Sequence, residues 1–394
     1  MSVVAITGVS GCLGRNLLMQ LEVDDEVERV IGVDRADPPQ AEESPKLSFF
    51  RRDLAQSLGT LFKDHGVRFA VHLAGADERE LEADPEVELR TTRTFLAACG
   101  EAEVESVCVL SSAFAYGANP DNEILLEGTL LRPNPAFRSA WSKAQLEELC
   151  YDWVKEHPTT ALQIVRPCPI LGPTSKSFFT RLLNSPRIFV PSGRDPLLQF
   201  VHEDDVTRAI HRLVKSGSFG VFNLAGDGPL HLSQIAQLAE QRLVSLPLSL
   251  LRAGATLGWK LGRSDVPPAF VDYFVHPWLV AAMKVRNQAY FVPRYDSADA
   301  LLDYLEHRAG VELQPAPPSR VLPEDDVPTE RLDPDLAFAA VGADGLVAGT
   351  FADELDEDLE DEELDDDLDE ELDELEVDEE DEEDEDEDED STET

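Results

Sequence analysis

The sequence predicts an α/β fold built on a doubly wound parallel sheet. Three observations carry this. Short apolar runs alternate with amphipathic stretches up to about residue 225, three glycines follow the first run directly, and an aspartate closes the second. The strand candidates are VVAIT (3–7), RVIGVD (29–34), FAVHLAG (69–75), SVCVLSS (106–112), QIVRP (163–167) and GVFNLAG (220–226). Stretches with helical periodicity at 13–22, 87–99 and 140–156 lie between them. Residues 1–226 are therefore expected to form a nucleotide-binding domain, and 227–312, rich in aromatics and prolines, a small, mainly helical second domain that also takes part of 171–199. The proline-dense QPAPPSRVLPEDDVPTERLDP (314–334) marks 313–350 as a linker.

The charge is unevenly distributed. Of the 80 Asp and Glu in the 394 residues, 32 fall in 351–394, a stretch with no Lys or Arg, which leaves 48 acids against 33 bases in 1–350. The folded part is thus only moderately acidic, and a basic face for nucleic acid is not expected. The tail reads as a disordered, solvated segment. Its leucines at 355, 359, 364, 368, 372 and 375 recur at roughly helical spacing, so an acidic helix for an unknown basic partner is the alternative. The extra residue between 359 and 364 rotates that stripe, and like charges one turn apart repel. The five cysteines (Cys12, Cys99, Cys108, Cys150, Cys168) form no CxxC pair, which suits reduced thiols in a cytoplasmic protein. MSVVAITG enters a strand at once and leaves no room for a signal peptide. No uncharged apolar run reaches about 18 residues, since Arg252 and Asp272 interrupt the nearest candidates. His72, His202 and His276 lack metal-ligand spacing.

The turn TGVSGCLG (7–14) carries the first chemistry. Gly8, Gly11 and Gly14 permit a tight turn, close approach of a pyrophosphate and close packing of helix on strand. The helix that follows offers unpaired N–H groups and a positive dipole end. Asp34 lies 20 residues beyond Gly14 at the end of the second strand, where a carboxylate accepts ribose hydroxyls and repels a 2′-phosphate. That favours NAD over NADP, tempered by the adjacent Arg35. Asp53 in RRDL is a partner for the adenine amine.

These segments, with VHLAGA (71–76), SSAFAYG (111–117), WSKAQLE (141–147), IVRPCPILGP (164–173), FVHEDDV (200–206) and GVFNLAGDGPL (220–230), come in the order of a known family. Over about residues 1–312 the chain resembles the extended short-chain dehydrogenases/reductases, the NAD-dependent epimerase/dehydratase group, in an atypical form. The resemblance implies a Rossmann domain with a C-terminal substrate domain. It implies an NAD cradle made by Gly8, Gly11, Cys12, Leu13, Gly14, Asp34, Arg35, Asp53, Leu54, Leu73, Ala74, Gly75, Lys143 and Pro167. It further implies a catalytic Ser112 and Lys143, and a homodimer through the helices at 87–99 and 140–156.

The sequence departs from the family at the tyrosine, whose place in NPAFRSAWSK (134–143) is taken by Ser139, four residues before Lys143. An aliphatic alcohol is a far weaker acid than a phenol, and losing a positioned acid costs about 10² to 10⁴ in rate. Tyr116 is the substitute considered, because it follows Ser112 by four residues on a loop that faces substrate in the family, with a binding or packing role the favoured reading. Tyr151 and Lys155 form a literal Tyr-x-x-x-Lys but lie three turns downstream on one helix, so they are expected to be a decoy. Glu88 and Thr94 stand where the family carries asparagines. Leu198 and Gln199 replace an Arg-Asp pair that clamps diphosphates in sugar-nucleotide members. With the apolar 244–262 and 267–283, this suggests a small-molecule substrate more apolar than a sugar nucleotide. Asp205 is expected to cap a helix. The resulting expectation is an NAD-dependent oxidoreductase or epimerase/dehydratase-like enzyme acting on a secondary alcohol or carbonyl. Its rival is a catalytically inactive NAD-binding sensor or scaffold.

Overall fold

Seven parallel strands make the central sheet of the computed structural model, which describes residues 2–38, 44–264 and 266–308. They are β1 (Ser2–Thr7), β2 (Val27–Asp34), β3 (Leu47–Arg51), β4 (Val67–His72), β5 (Ser106–Leu110), β6 (Ala161–Pro167) and the strand Gly220–Leu224. Their spatial order is 220–224, β6, β5, β4, β1, β2, β3. The order reverses between β1 and β4, so the crevice at their carboxyl ends is the switch point where α/β sheets bind ligands. Linker and tail lie outside the described residues.

The helices are α1 (Cys12–Glu22), α2 (Gly59–Asp64), α3 (Glu78–Ala83), α4 (Val87–Glu101), α5 (Arg138–Glu156), α6 (Phe178–Asn184), α7 (Glu203–Ser216), α8 (Leu232–Leu238), α9 (Leu248–Lys260), α10 (Met283–Ala289) and α11 (Ser297–Arg308). Successive side chains of a strand point to opposite faces, and the two cores follow from it. Val4 and Ile6 pack with Leu17 and Leu21 of α1 and Val206 and Ile210 of α7, whereas Ala5 packs with Phe62, Phe95, Leu96 and Leu146 of α2, α4 and α5. β3 escaped the sequence reading because LSFFR is a half-buried edge strand of five residues with little contrast between its faces. The 227–308 region is helical but also holds short strands, with Arg242–Leu246 pairing parallel to Arg187–Pro191 and Leu230–His231 antiparallel to Leu197–Leu198. Asp205 is not the cap of α7. His202 Nδ1 accepts the Asp204 N–H at 3.1 Å, while buried Asp205 accepts the amides of Arg294 and Tyr295 at 2.9 and 3.0 Å and so anchors that loop. All five cysteines are free thiols. Among the described residues no helix is long and apolar enough to cross a membrane, and no cluster of metal-ligating side chains occurs.

One buried polar network ties the C-terminal half of the sheet together. Arg166 of β6 donates to both oxygens of Glu147 on α5 at 2.8 and 2.6 Å and to the Tyr116 hydroxyl at 2.6 Å. That hydroxyl lies 2.8 Å from Asn223 Oδ1 and 2.9 Å from the Leu126 carbonyl, and Ser111 donates to Glu147 at 2.5 Å. Removing one partner of such a pair leaves an uncompensated buried charge. Glu147→Ala should therefore destabilise the fold by about 3–5 kcal/mol, read as a lower urea midpoint with an unchanged slope.

Candidate active site

The site forms where β1, β2, β4 and β5 end. Gly8 has φ +81°, and a Cβ there would stand 2.7 Å from the Ala74 nitrogen. A Cβ on Gly14 would stand 2.2 Å from the Gly8 carbonyl oxygen, so the first turn of α1 closes directly onto the turn before it. Gly11 is the N-cap of α1 and supplies no side chain, and the first helical turn holds no acid. The helix therefore presents its N–H groups and positive dipole end to the crevice without a competing carboxylate.

Asp34, half-buried at the end of β2, accepts the Ser10 N–H at 3.0 Å and the Arg35 N–H at 2.7 Å. This fixes the carboxylate at the shoulder of the glycine turn. The Arg35 side chain is drawn to Glu80 at 3.4 Å. Exposed Asp53 accepts the Ala55 N–H, and Leu54 is buried beside it. The cleft itself, about 290 Å³, is walled by Gly8, Gly11, Cys12, Leu13, Gly14, Leu73, Ser112 and Pro167 among the expected residues, joined by Phe114, Cys168 and Phe178. Asp34, Arg35, Asp53, Leu54, Ala74, Gly75 and Lys143 stand outside this lining. Asp34 is tied to it through Ser10, and Lys143 through Leu110.

Lys143, on the second turn of α5, donates to the Leu110 carbonyl at 2.9 Å and lies 2.7 Å from Glu88 Oε1. The other Glu88 oxygen accepts the Ser142 hydroxyl at 2.5 Å. Glu88 is 2 % exposed. A Cβ on Gly75 would come 3.2 Å from Glu88 Oε1 and 3.7 Å from Lys143 Nζ, so Gly75 faces this pair. The sequence marked Glu88 only as a departure from a family pattern, and its pairing with a lysine 55 positions away has no local signal. Thr94, the other departure, points outward and bonds back to Arg90. Thr92 is the buried threonine of α4, 3.2 Å from His72 Nε2.

Tyr116 does not line the cleft. It is 1 % exposed, its hydroxyl is engaged by Arg166, Asn223 and Leu126, and burial pushes its pKa up to about 12. The sequence placed it on the right loop but could not tell that the short helical turn Ala113–Tyr116 directs it inward, away from Ser112. Ser112 itself caps that turn, its hydroxyl accepting the Phe114 N–H at 3.2 Å. Ser139, half-buried on the first turn of α5, does not line the cleft. Its N–H donates to Glu78 at 2.7 Å, and Arg138 donates to the other Glu78 oxygen at 3.1 Å. Glu78, buried among these groups, was missed because DERE reads as solvated surface. Tyr151 is bonded to Glu147 and exposed Lys155 is paired with Asp152, and neither lines the cleft.

Phe114 and Phe178 of the cleft wall belong to a buried aromatic cluster. The Phe114 centroid lies 5.1 Å from Tyr273 and Trp278, 5.4 Å from Phe137, and 5.8 Å from Phe178 and Phe270. Leu198 is buried, and the Gln199 amide is spent on the Val280 backbone. Neither position supplies a cation.

His72 ties β1 to α4 beneath the site. Its Nδ1 is 2.6 Å from Thr7 Oγ1, and its ring stacks on Phe95. Burial, and then the charge of Lys143, push its pKa down to about 3. The folded state thus holds the neutral ring while the unfolded chain takes up a proton near pH 6.5. This contribution is complete above pH 6.5 and drains by about 1.4 kcal/mol per unit as the pH falls from 6.5 towards 3. Wild type should lose about 2 kcal/mol more stability than His72→Asn between pH 7.5 and 5.0, and equal losses in urea titrations would refute the neutral buried ring.

Comparison with known proteins places this geometry. The model of the NAD dependent epimerase/dehydratase family matches residues 4–225, more than half of the chain. An uncharacterized protein of Mycobacterium tuberculosis (strain ATCC 25618 / H37Rv) is 25% identical over 316 residues, covering 78% of this chain and 84% of its own. MoeE5 in complex with UDP-glucose and NAD superposes with a TM-score of 0.62 at 19% identity, covering 78% of this chain and 99% of that one. UDP-glucose 4-epimerase from Thermotoga maritima, solved with UDP-glucose, gives 0.62 at 17% identity and the same coverage.

Proposed function

Because this chain belongs to the NAD dependent epimerase/dehydratase family, we propose that it is an NAD-dependent enzyme acting on a secondary alcohol or carbonyl of a small molecule. It is an atypical member, in which Ser139 stands in the place expected for a tyrosine. The observation that carries the cofactor half is the uncapped N-terminus of α1 over glycines where a Cβ would collide, with Asp34 held at its shoulder. That cradle fits a pyrophosphate and an adenosine ribose with free hydroxyls, and a 2′-phosphate would meet the Asp34 carboxylate. NAD, when bound, supplies a hydride acceptor for a carbinol carbon.

The chain's own residues do the rest. Ser112, in the cleft wall, is the hydroxyl placed to orient a substrate oxygen. Lys143 and Gly75 form the floor for the nicotinamide-side ribose, and Glu88 balances the lysine charge where little water reaches it. Neither Tyr116 nor Tyr151 offers a phenol to the cleft. The proton step therefore falls to an aliphatic hydroxyl or to the substrate, and slow turnover follows. The aromatic wall of Phe114 and Phe178 beside Ser112 favours a substrate with an apolar body over a bare sugar.

Thermal unfolding of the full chain with NAD⁺, NADH, NADP⁺ and NADPH tests the cofactor. Ligand at about 100 times its dissociation constant adds about 2.7 kcal/mol, a shift of several degrees. The shift should appear with NAD⁺ and NADH only, and Asp34→Ala should erase the discrimination. A protein that responds to none of the four would overturn the reading. Ser139→Tyr tests the chemistry. In a screen of secondary alcohols it should raise turnover by about 10² or more while the NAD shift persists. Retained binding with no turnover in either form would leave a nucleotide-binding protein without this reaction.

A further inference from the structure

Glu88 lies in the first turn of α4, where the positive end of the helix favours a carboxylate. It is almost fully buried, and a carboxylate in that position keeps its charge only when it is matched. Two neighbours on α5 hold it. Ser142 donates to one oxygen at 2.5 Å, and Lys143 Nζ stands 2.7 Å from the other. That second oxygen accepts no hydrogen bond, so what the ammonium meets there is charge. A Cβ on Gly75 would stand within 4 Å of both groups, so backbone alone separates the pair from whatever lies on Gly75.

The other buried polar groups around this pair are already answered. Arg166 is matched by Glu147 at 2.6 Å, Glu78 by the amides of Arg138 and Ser139, and His72 is neutral. Ser139, one turn before Lys143, carries no charge. Lys143 and Glu88 therefore sum to zero, and taking Glu88 away would leave one uncompensated cation beneath Gly75. The two forms of a nicotinamide cofactor respond differently to such a cation. They share the adenine, the riboses and the pyrophosphate, but the oxidised ring is positive and the reduced ring is not. In surroundings with little water, an unmatched ammonium repels the first and leaves the second unaffected.

We propose that Glu88 sets the balance between NAD⁺ and NADH in this site, by cancelling the Lys143 charge that would otherwise repel the oxidised ring. The proposal rests on the cofactor reading given above and adds to it a residue that decides which redox form is retained. Glu88 is a positioning residue, acting through Lys143. With the pair intact, the oxidised cofactor is held ready to accept a hydride.

The test is a pair of dissociation constants, for NAD⁺ and for NADH, measured by calorimetry on the full chain and its variants. Their ratio reports charge at the ring, and a general loss of affinity or of packing cancels from it. Glu88→Gln keeps the shape and an acceptor for Ser142. It should weaken NAD⁺ relative to NADH by about tenfold. Glu88→Gln with Lys143→Met removes both charges and should bring the ratio back to within about twofold of wild type, even if both constants rise. Thermal unfolding checks that each variant is folded. If Glu88→Gln does not fold, Lys143→Met alone carries the test, with the ratio expected to move the opposite way, towards NAD⁺. A ratio unchanged in Glu88→Gln, or a shift that persists in the double variant, would overturn the proposal and leave the cofactor reading standing. A wild-type chain that binds neither form would overturn both.

Discussion

The buried pairing of Glu147 with Arg166 is the constraint on which the catalytic half of the molecule depends. It joins α5 to β6, and through Ser111, Tyr116 and Asn223 it fixes the loop after β5 and the outermost strand at 220–224. Removing two charges from water is expensive, and a pair of this kind adds little net stability compared with a well-packed apolar replacement. Its value lies in geometry. Every hydrogen-bonding group of the network has one set of partners, so the loop that carries Ser112 has one low-energy course. Lys143 leaves the same helix one turn before Glu147, and its direction is set by the same anchor.

A parallel logic runs on the cofactor side. The turn after β1 touches the chain after β4 through backbone alone, because Gly8 has no side chain to hold them apart. The carboxylate of Asp34 then bridges the turn to β2. Three strand ends are thereby locked at one point by peptide groups and one acid, and a ligand recognised there is read mainly by backbone N–H groups. The substrate side contrasts with this. Its wall carries Phe114 and Phe178, backed by Phe137, Phe270, Tyr273 and Trp278, rings that contribute area and shape but few directional bonds.

Much of this was legible in the sequence, for identifiable reasons. Strands buried on both faces leave continuous apolar runs, and a phosphate turn needs glycines at fixed offsets, so β1, β2, β4, β5, β6 and the turn at 7–14 were visible. What escaped depends on long-range partners. Tyr116 was open between a catalytic and a packing role, and its partner Asn223, 107 residues away, has no local signal. Glu88 read as an oddity until Lys143 arrived beside it, and Glu78 as surface charge until it met the amides that open α5. Asp205 had the right spacing for a cap, but His202 took that role because the acid was needed by Arg294 and Tyr295. The edge strand β3 was lost for the opposite reason, since a strand with no fully buried residue leaves no pattern.

The sheet order has a consequence for how the chain assembles. β1, the first strand of the sheet in chain order, lies inside the sheet beside the middle strand β4, and its neighbours are β2 and β4. Val4 pairs with Phe69 and Thr7 with His72, so one edge of β1 stays open until about 60 further residues have joined the fold. Every pairing in this sheet is parallel and none closes through a hairpin, so each must wait for a crossover. Until those crossovers form, the strongly apolar β1 has only the Leu17–Leu21 face of α1 to cover one of its sides. The strand that leads into the glycine turn is therefore also among the last of the early strands to be paired on both edges.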